Sequence, residues 1–290
     1  MNRRSFVLSP VAAAAAGIPL KAGGAAAPSE AGPGFHLGAV TWLVLKDLDV
    51  EGIIRLLEGA GFEGVELRTG HKHGVEPSIG QEERTRVRRL FEWSKVRLVS
   101  YGTTCRFQSP VAAERKEQVE IAKEFIDLAH DTGAIGIKIQ PLGFPEDVPQ
   151  ETCIQNFGRG LAEVGEYGAG KGVEVWMEVH GPGVTARPQV AAAILKAAGH
   201  KNVGACWNSN GEDIVNGSVK PSFELLKAWI RSVHIKELSG GRYPYREFFT
   251  LLRNAKYDRY TFAEVAESKE PERFLRMYKA LWTELNRSCT

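Results

Sequence analysis

Val173-Glu174-Val175-Trp176-Met177-Glu178-Val179-His180 is an apolar run that turns polar at its far end. A helical pattern over 151–170 precedes it and stops at Gly170 and Gly172; another, over 187–198, follows and stops at Gly199. Outward from this stretch the same alternation repeats. Strand patterns fall at 36–42, 64–68, 97–102, 134–140, 173–180, 203–208, 231–237 and 260–266. Helical patterns fall at 50–60, 80–95, 114–132, 151–170, 187–198, 218–229 and 244–255, with a last helix near 270–286. In 114–132 the stripe Val119, Ala122, Phe125, Ile126 and Ala129 has helical spacing, with charges opposite. Glycines at 59, 61, 133, 170, 172 and 199 stop helices because glycine reaches the left-handed conformation without steric cost. Strict strand–helix alternation implies right-handed crossovers and a parallel sheet. Eight such units favour closure into a single (β/α)8 barrel, for which about 250 residues suffice. An open doubly wound sheet is disfavoured, because no Gly-x-Gly-x-x-Gly turn follows the first strand.

The first 26 residues read differently. Arg3-Arg4-Ser5-Phe6 precedes a short alanine-rich apolar run, 7–20, broken by Pro10, Gly17 and Pro19. That run is too short to span a bilayer, which takes about 20 apolar residues. Gly24 and Ala26 suit signal-peptidase cleavage after Ala26. The segment resembles a twin-arginine export signal, which implies cleavage, a periplasmic location, export of an already folded protein and no stable membrane anchor afterwards. The expected division is 1–26 signal, 27–34 linker and 35–290 barrel. Arg3, Arg4 and Lys21 supply the positive balance of the 290-residue chain, whose formal charge is +2. The remainder carries about −1, so no global basic excess exists to hold a nucleic-acid backbone. Cys105, Cys153, Cys206 and Cys289 form no Cys-x-x-Cys pair, and Cys206 reads as core.

In a barrel of this kind the chemistry lies at the C-terminal strand ends. Glu178, Asn208, His234 and Glu264 recur there at steps of about one β/α unit, roughly 30 residues. Alternation along each strand lets all four point to the axis. Two carboxylates, an amide oxygen and an imidazole suit a divalent ion such as Mn²⁺, Mg²⁺, Co²⁺ or Zn²⁺. Buried carboxylates without a cation would be costly. His180 shares a face with Glu178, and Lys236 with His234. Strand two ends Glu66-Leu67-Arg68 and enters a loop holding His71 and His73. Trp42, Gln140 and Asn210 end strands one, four and six. These nine residues are the substrate-binding candidates.

Met-Glu-Val-His at 177–180, Cys-Trp-Asn-Ser-Asn at 206–210, Val-His-Ile-Lys-Glu at 233–237 and Phe-Ala-Glu at 262–264 resemble the late-strand motifs of the xylose isomerase-like TIM barrel superfamily. That superfamily includes sugar isomerases, ketose 3-epimerases, inosose dehydratases and endonuclease IV-type enzymes. In the ketose epimerases, Glu, Asp, His and Glu at these strand ends bind one metal, and both glutamates move the proton. The resemblance implies those roles for Glu178, Asn208, His234 and Glu264. Asn208 departs from the pattern: its amide oxygen can ligate a cation but brings no charge.

The function implied is an isomerase or epimerase acting on a sugar or oxidised sugar, by metal-assisted proton abstraction beside a carbonyl. Loss of a β-substituent from the same enediolate would make it a lyase. A metal-dependent phosphoesterase like endonuclease IV uses a multi-metal cluster with more histidines, whereas only seven exist here and just His180 and His234 lie on the late-strand ends. A non-catalytic carbohydrate-binding barrel is the remaining alternative, and Asn208 is its best support. The expected partner is a small sugar, with homo-oligomer formation left open.

Overall fold

The computed structural model describes residues 34–287; residues 1–26, on which the export-signal expectation falls, most of the expected linker and the last three residues lie outside the described part. The strands are β1 (His36–Val40), β2 (Gly64–Arg68), β3 (Arg97–Gly102), β4 (Gly136–Ile139), β5 (Glu174–Glu178), β6 (Val203–Trp207), β7 (Ile230–Ile235) and β8 (Tyr260–Ala263). The helices are α1 (Val50–Ala60), α2 (Gln81–Glu92), α3 (Ala112–Thr132), α4 (Gln150–Lys171), α5 (Pro188–Ala198), α6 (Lys220–Leu226), α7 (Tyr245–Asn254) and α8 (Pro271–Asn286). Each strand pairs in parallel with the next, and β8 pairs with β1, closing the barrel expected from the alternation.

The helices form because each has one apolar stripe to bury against the strands. Ile53, Leu57 and Ala60 do this on α1, and Phe248, Phe249 and Leu252 on α7. Gly61 (φ 74°) and Gly172 (φ 71°) turn the chain off α1 and α4 in the left-handed conformation. Helix α6 is shorter than its pattern: Val215 and Ser218 pair in an isolated bridge, and Lys220-Pro221 starts the helix after it.

Within the barrel, side chains alternate between the helix layer and the axis. Val40, Val99, Trp176, Cys206 and Phe262 fill the middle of the interior. Beyond them, toward the C-terminal ends, the axis-facing positions become polar: Glu66, Lys138, Glu178, Asn208 and His234, all buried. The apolar plug therefore serves as the floor of a polar cup. Gly102 on β3 keeps the cup open, since a Cβ there would sit 2.8 Å from Glu66 Oε1.

Candidate active site

Strands β5, β7 and β8 bring Glu178, His234 and Glu264 together, each offering a ligand atom within 4.8 Å of the others. His234 Nδ1 lies 3.3 Å from Glu178 Oε1 and 3.8 Å from Glu264 Oε1. Such spacings suit ligands around one ion with bonds of about 2.0–2.2 Å. They are charge contacts rather than aligned hydrogen bonds, because both His234 ring nitrogens are buried without a hydrogen-bond partner.

Asn208 completes the set from β6. Its Nδ2 pairs with His180 Nδ1 at 2.7 Å, which leaves Oδ1 buried and unpartnered. Amide orientation follows from this network: nitrogen to His180, oxygen free as an acceptor. An orphaned amide oxygen and an orphaned imidazole beside two carboxylates are a donor set that fits a divalent cation. Glu178, Asn208, His234 and Glu264 are the residues that would hold it.

Lys138, which the strand-end reading passed over in favour of its neighbour-but-one Gln140, is central to the cup. Its Nζ lies 3.1 Å from Glu178 Oε2 and 3.4 Å from Glu66 Oε1, and the residue is 4% exposed. The available signal was parity: a lysine two residues before Gln140 on a four-residue strand must share its axial face. Glu66 lies beneath the cluster, taking a 2.9 Å hydrogen bond from Ser100 Oγ and facing His234 Nε2 at 3.3 Å. Glu66 thus orients the ring from behind, as carboxylates do for metal-binding histidines.

The electrostatics follow from burial and pairing. Burial favours the neutral form of Glu66, but Lys138 and His234 outweigh it and hold the carboxyl at about 2. Burial acts likewise on Glu178, where Lys138 and His234 again prevail and keep it well below the usual carboxylate range. Desolvation opposes charge on Lys138, yet Glu178 and Glu66 raise its proton affinity overall. For His234 desolvation is likewise overcome, by Cys206 and Glu66. Since burial keeps the Cys206 thiol protonated, the Glu66 carboxylate is the physically effective partner. Lys138 offsets one of the buried negative charges of Glu66 and Glu178, so that with Glu264 a net charge of about −2 would face a divalent ion.

The other sequence candidates divide into mouth and scaffold. Trp42, Arg68, His71, Gln140, His180 and Lys236 are half-buried around the opening. Arg68 lies over the Trp42 ring at 4.7 Å, and His71 stacks beside Trp42 with its Nδ1 3.0 Å from Thr41 Oγ1. His73 is buried, with Nε2 donating to the Arg68 carbonyl and Nδ1 accepting from Val75 N, so both ring nitrogens serve the loop. Asn210 is spent similarly: its amide donates to the Val179 carbonyl, and its backbone N–H donates to Asp213 Oδ2. Asp213 was not foreseen. It accepts from Tyr243 Oη, which in turn accepts from Trp207 Nε1, and burial pushes its carboxyl up to about 7.

The sequence profile described as xylose isomerase-like TIM barrel matches residues 54–281. No curated protein sequence matches the chain. Among solved structures, the D-psicose 3-epimerase with D-tagatose from Clostridium cellulolyticum H10 superposes with a TM-score of 0.75 at 12% identity, over 88% of this chain and 100% of that one. The IolI protein with a bound zinc atom gives 0.74 at 14% identity, over 88% and 100% of the two chains. A probable 3-DHS dehydratase, AsbF, from Bacillus anthracis gives 0.67 at 15%, over 86% and 98%.

Proposed function

We propose that this chain, which belongs to the xylose isomerase-like TIM barrel family, is a metal-assisted enzyme that removes the proton beside the carbonyl of a sugar or oxidised sugar, as an isomerase or epimerase. The observation that carries the reading is the convergence of Glu178, His234 and Glu264 with the unpartnered Asn208 Oδ1 at the C-terminal end of the barrel. The similarity to a ketose 3-epimerase with a bound ketose and to a zinc-containing barrel supports it. When bound, a divalent ion held by these four residues would supply positive charge to the carbonyl and hydroxyl oxygens of the sugar.

The chain's own groups then divide the work. Glu264 has a side chain 19% exposed, against 1% for Glu178, so it is the carboxylate open to the mouth. It takes the proton from the carbon next to the carbonyl. In an epimerase Glu178, on the third strand away, delivers a different proton, taken up from solvent, to the opposite face, while the abstracted one leaves Glu264 to solvent. Lys236 and His180 are placed to hold sugar hydroxyls at the rim. The apolar floor of Trp176 and Phe262 keeps water from entering beneath.

One contact favours a second reading. Lys138 occupies Glu178 Oε2, the oxygen turned away from His234, so Glu264 is the less encumbered base. A single base suits β-elimination, and the similarity to a probable dehydratase agrees with a lyase acting on a keto-sugar or keto-glycoside. Turnover in D₂O separates the two. An epimerase incorporates deuterium with inversion, whereas elimination releases the β-substituent. Turnover with no solvent deuterium and no isotope effect at that carbon would contradict both. The Arg3-Arg4 segment, outside the described residues, supports export by the twin-arginine route to the periplasm, and we include that location in the proposal.

A further inference from the structure

Arg68 carries a guanidinium without an acidic partner among the described residues. Among the described residues no carboxylate oxygen lies within 4.0 Å of it, and its one side-chain hydrogen bond is a long one, 3.4 Å, to the Thr69 carbonyl. Elsewhere Arg84, Arg86, Arg88, Arg259, Arg273 and Arg276 each pair with a carboxylate. Arg68 is also held in place. Its backbone N–H donates to Thr41 Oγ1, its carbonyl accepts from His73 Nε2, and its guanidinium lies over Trp42. Trp42 in turn packs on the interior cluster containing Val40 and Phe262, which fixes the pair at the inner wall of the mouth.

Position adds meaning to this. Arg68 follows Glu66 by two residues and shares its axial face, which places it roughly 6.6 Å further toward the opening. That height is comparable with the span of a six-carbon sugar whose reacting carbons lie at Glu264 and His234. Lys236, two residues beyond His234, is half-buried and also has no carboxylate within 4.0 Å among the described residues. The cup therefore has carboxylates above its apolar floor and a rim bearing two cations that, among the described residues, have no acidic partners. A guanidinium fork pre-set on an aromatic ring matches the two oxygens of a carboxylate.

Resting on the sugar reading above, we infer that Arg68 binds a carboxylate at the end of the sugar remote from the reacting carbons, so that the substrate is an acidic sugar, uronic or aldonic. The test is calorimetric binding to the full-length protein with Mn²⁺ present. D-Glucuronate and D-galacturonate are compared with D-glucose and D-galactose, with D-gluconate and D-glucose 6-phosphate as further probes. At least one acid should bind about tenfold or more tightly than its neutral counterpart, the worth of a charge-assisted hydrogen bond. Arg68→Gln should reduce that preference to within about twofold, while Arg68→Lys, which keeps the charge but not the fork, should retain part of it. Equal affinities for acid and neutral sugars overturn the inference alone. So does a preference that survives in Arg68→Gln, or a phosphate ester preferred over every carboxylate. Binding of no sugar of either kind overturns the sugar reading with it.

Discussion

Taking away the ammonium of Lys138 would leave Glu66 and Glu178 as buried, like-charged neighbours, since that cation sits 3.4 and 3.1 Å from the two carboxylates. Removing one partner of a buried ion pair typically costs about 3–5 kcal/mol. Lys138→Met should therefore lose stability of that order in urea unfolding of the metal-free protein near neutral pH. A loss under about 1 kcal/mol would mean the contact is not what holds the cup. Glu264 behaves differently because it is partly exposed. Glu264→Gln should lower turnover by about 10²-fold or more while barely changing unfolding. The candidate quartet of Glu178, Asn208, His234 and Glu264 was legible in the sequence because one polar residue recurs at each late strand end. Lys138 was legible only as far as parity with Gln140 places it on the axial face; nothing local shows that two acids from β2 and β5 will meet it there. Glu66 was visible as a polar strand residue, but its depth beneath His234 depends on the stagger between strands, which sequence spacing does not encode.

At the level of elements, strand and helix patterns were strong because every strand is buried on both faces and every helix on one. The loops were less legible. Gly211–Asp213 forms a short 3-10 turn after β6, and its shape depends on Asp213 reaching both Asn210 N and Tyr243 Oη from a later loop. That contact couples the turn following Asn208 to pH. The Asp213 carboxyl is raised from 3.8 to about 7 by burial, so the folded state prefers it protonated. An acid raised on folding imposes no penalty below its unfolded value. Its penalty grows as pH climbs from about 4 to about 7 and is constant above that. Asp213→Asn should therefore gain stability relative to wild type between pH 5 and pH 8, by about 3 kcal/mol, since the penalty grows over about two pH units and each is worth about 1.4 kcal/mol. Urea unfolding at the two pH values checks this; parallel profiles for both proteins would contradict it.

For the whole molecule, charge and location belong together. The first 26 residues supply the positive balance, and the barrel that follows is close to neutral, which suits a small-molecule enzyme better than a nucleic-acid binder. Changing Arg3 and Arg4 to lysine should retain the precursor in the cytoplasm in a fractionation experiment, and unchanged export would refute the twin-arginine reading. The central claim is that Glu178, Asn208, His234 and Glu264 hold one divalent cation at the mouth of the barrel. Anomalous diffraction from crystals soaked in Mn²⁺ tests it most directly. A single manganese peak about 2.0–2.2 Å from Glu178 Oε1, Asn208 Oδ1, His234 Nδ1 and Glu264 Oε1, absent in His234→Ala, is the expected result. A manganese-free cup in saturated crystals, or a peak that ignores His234, would contradict the account.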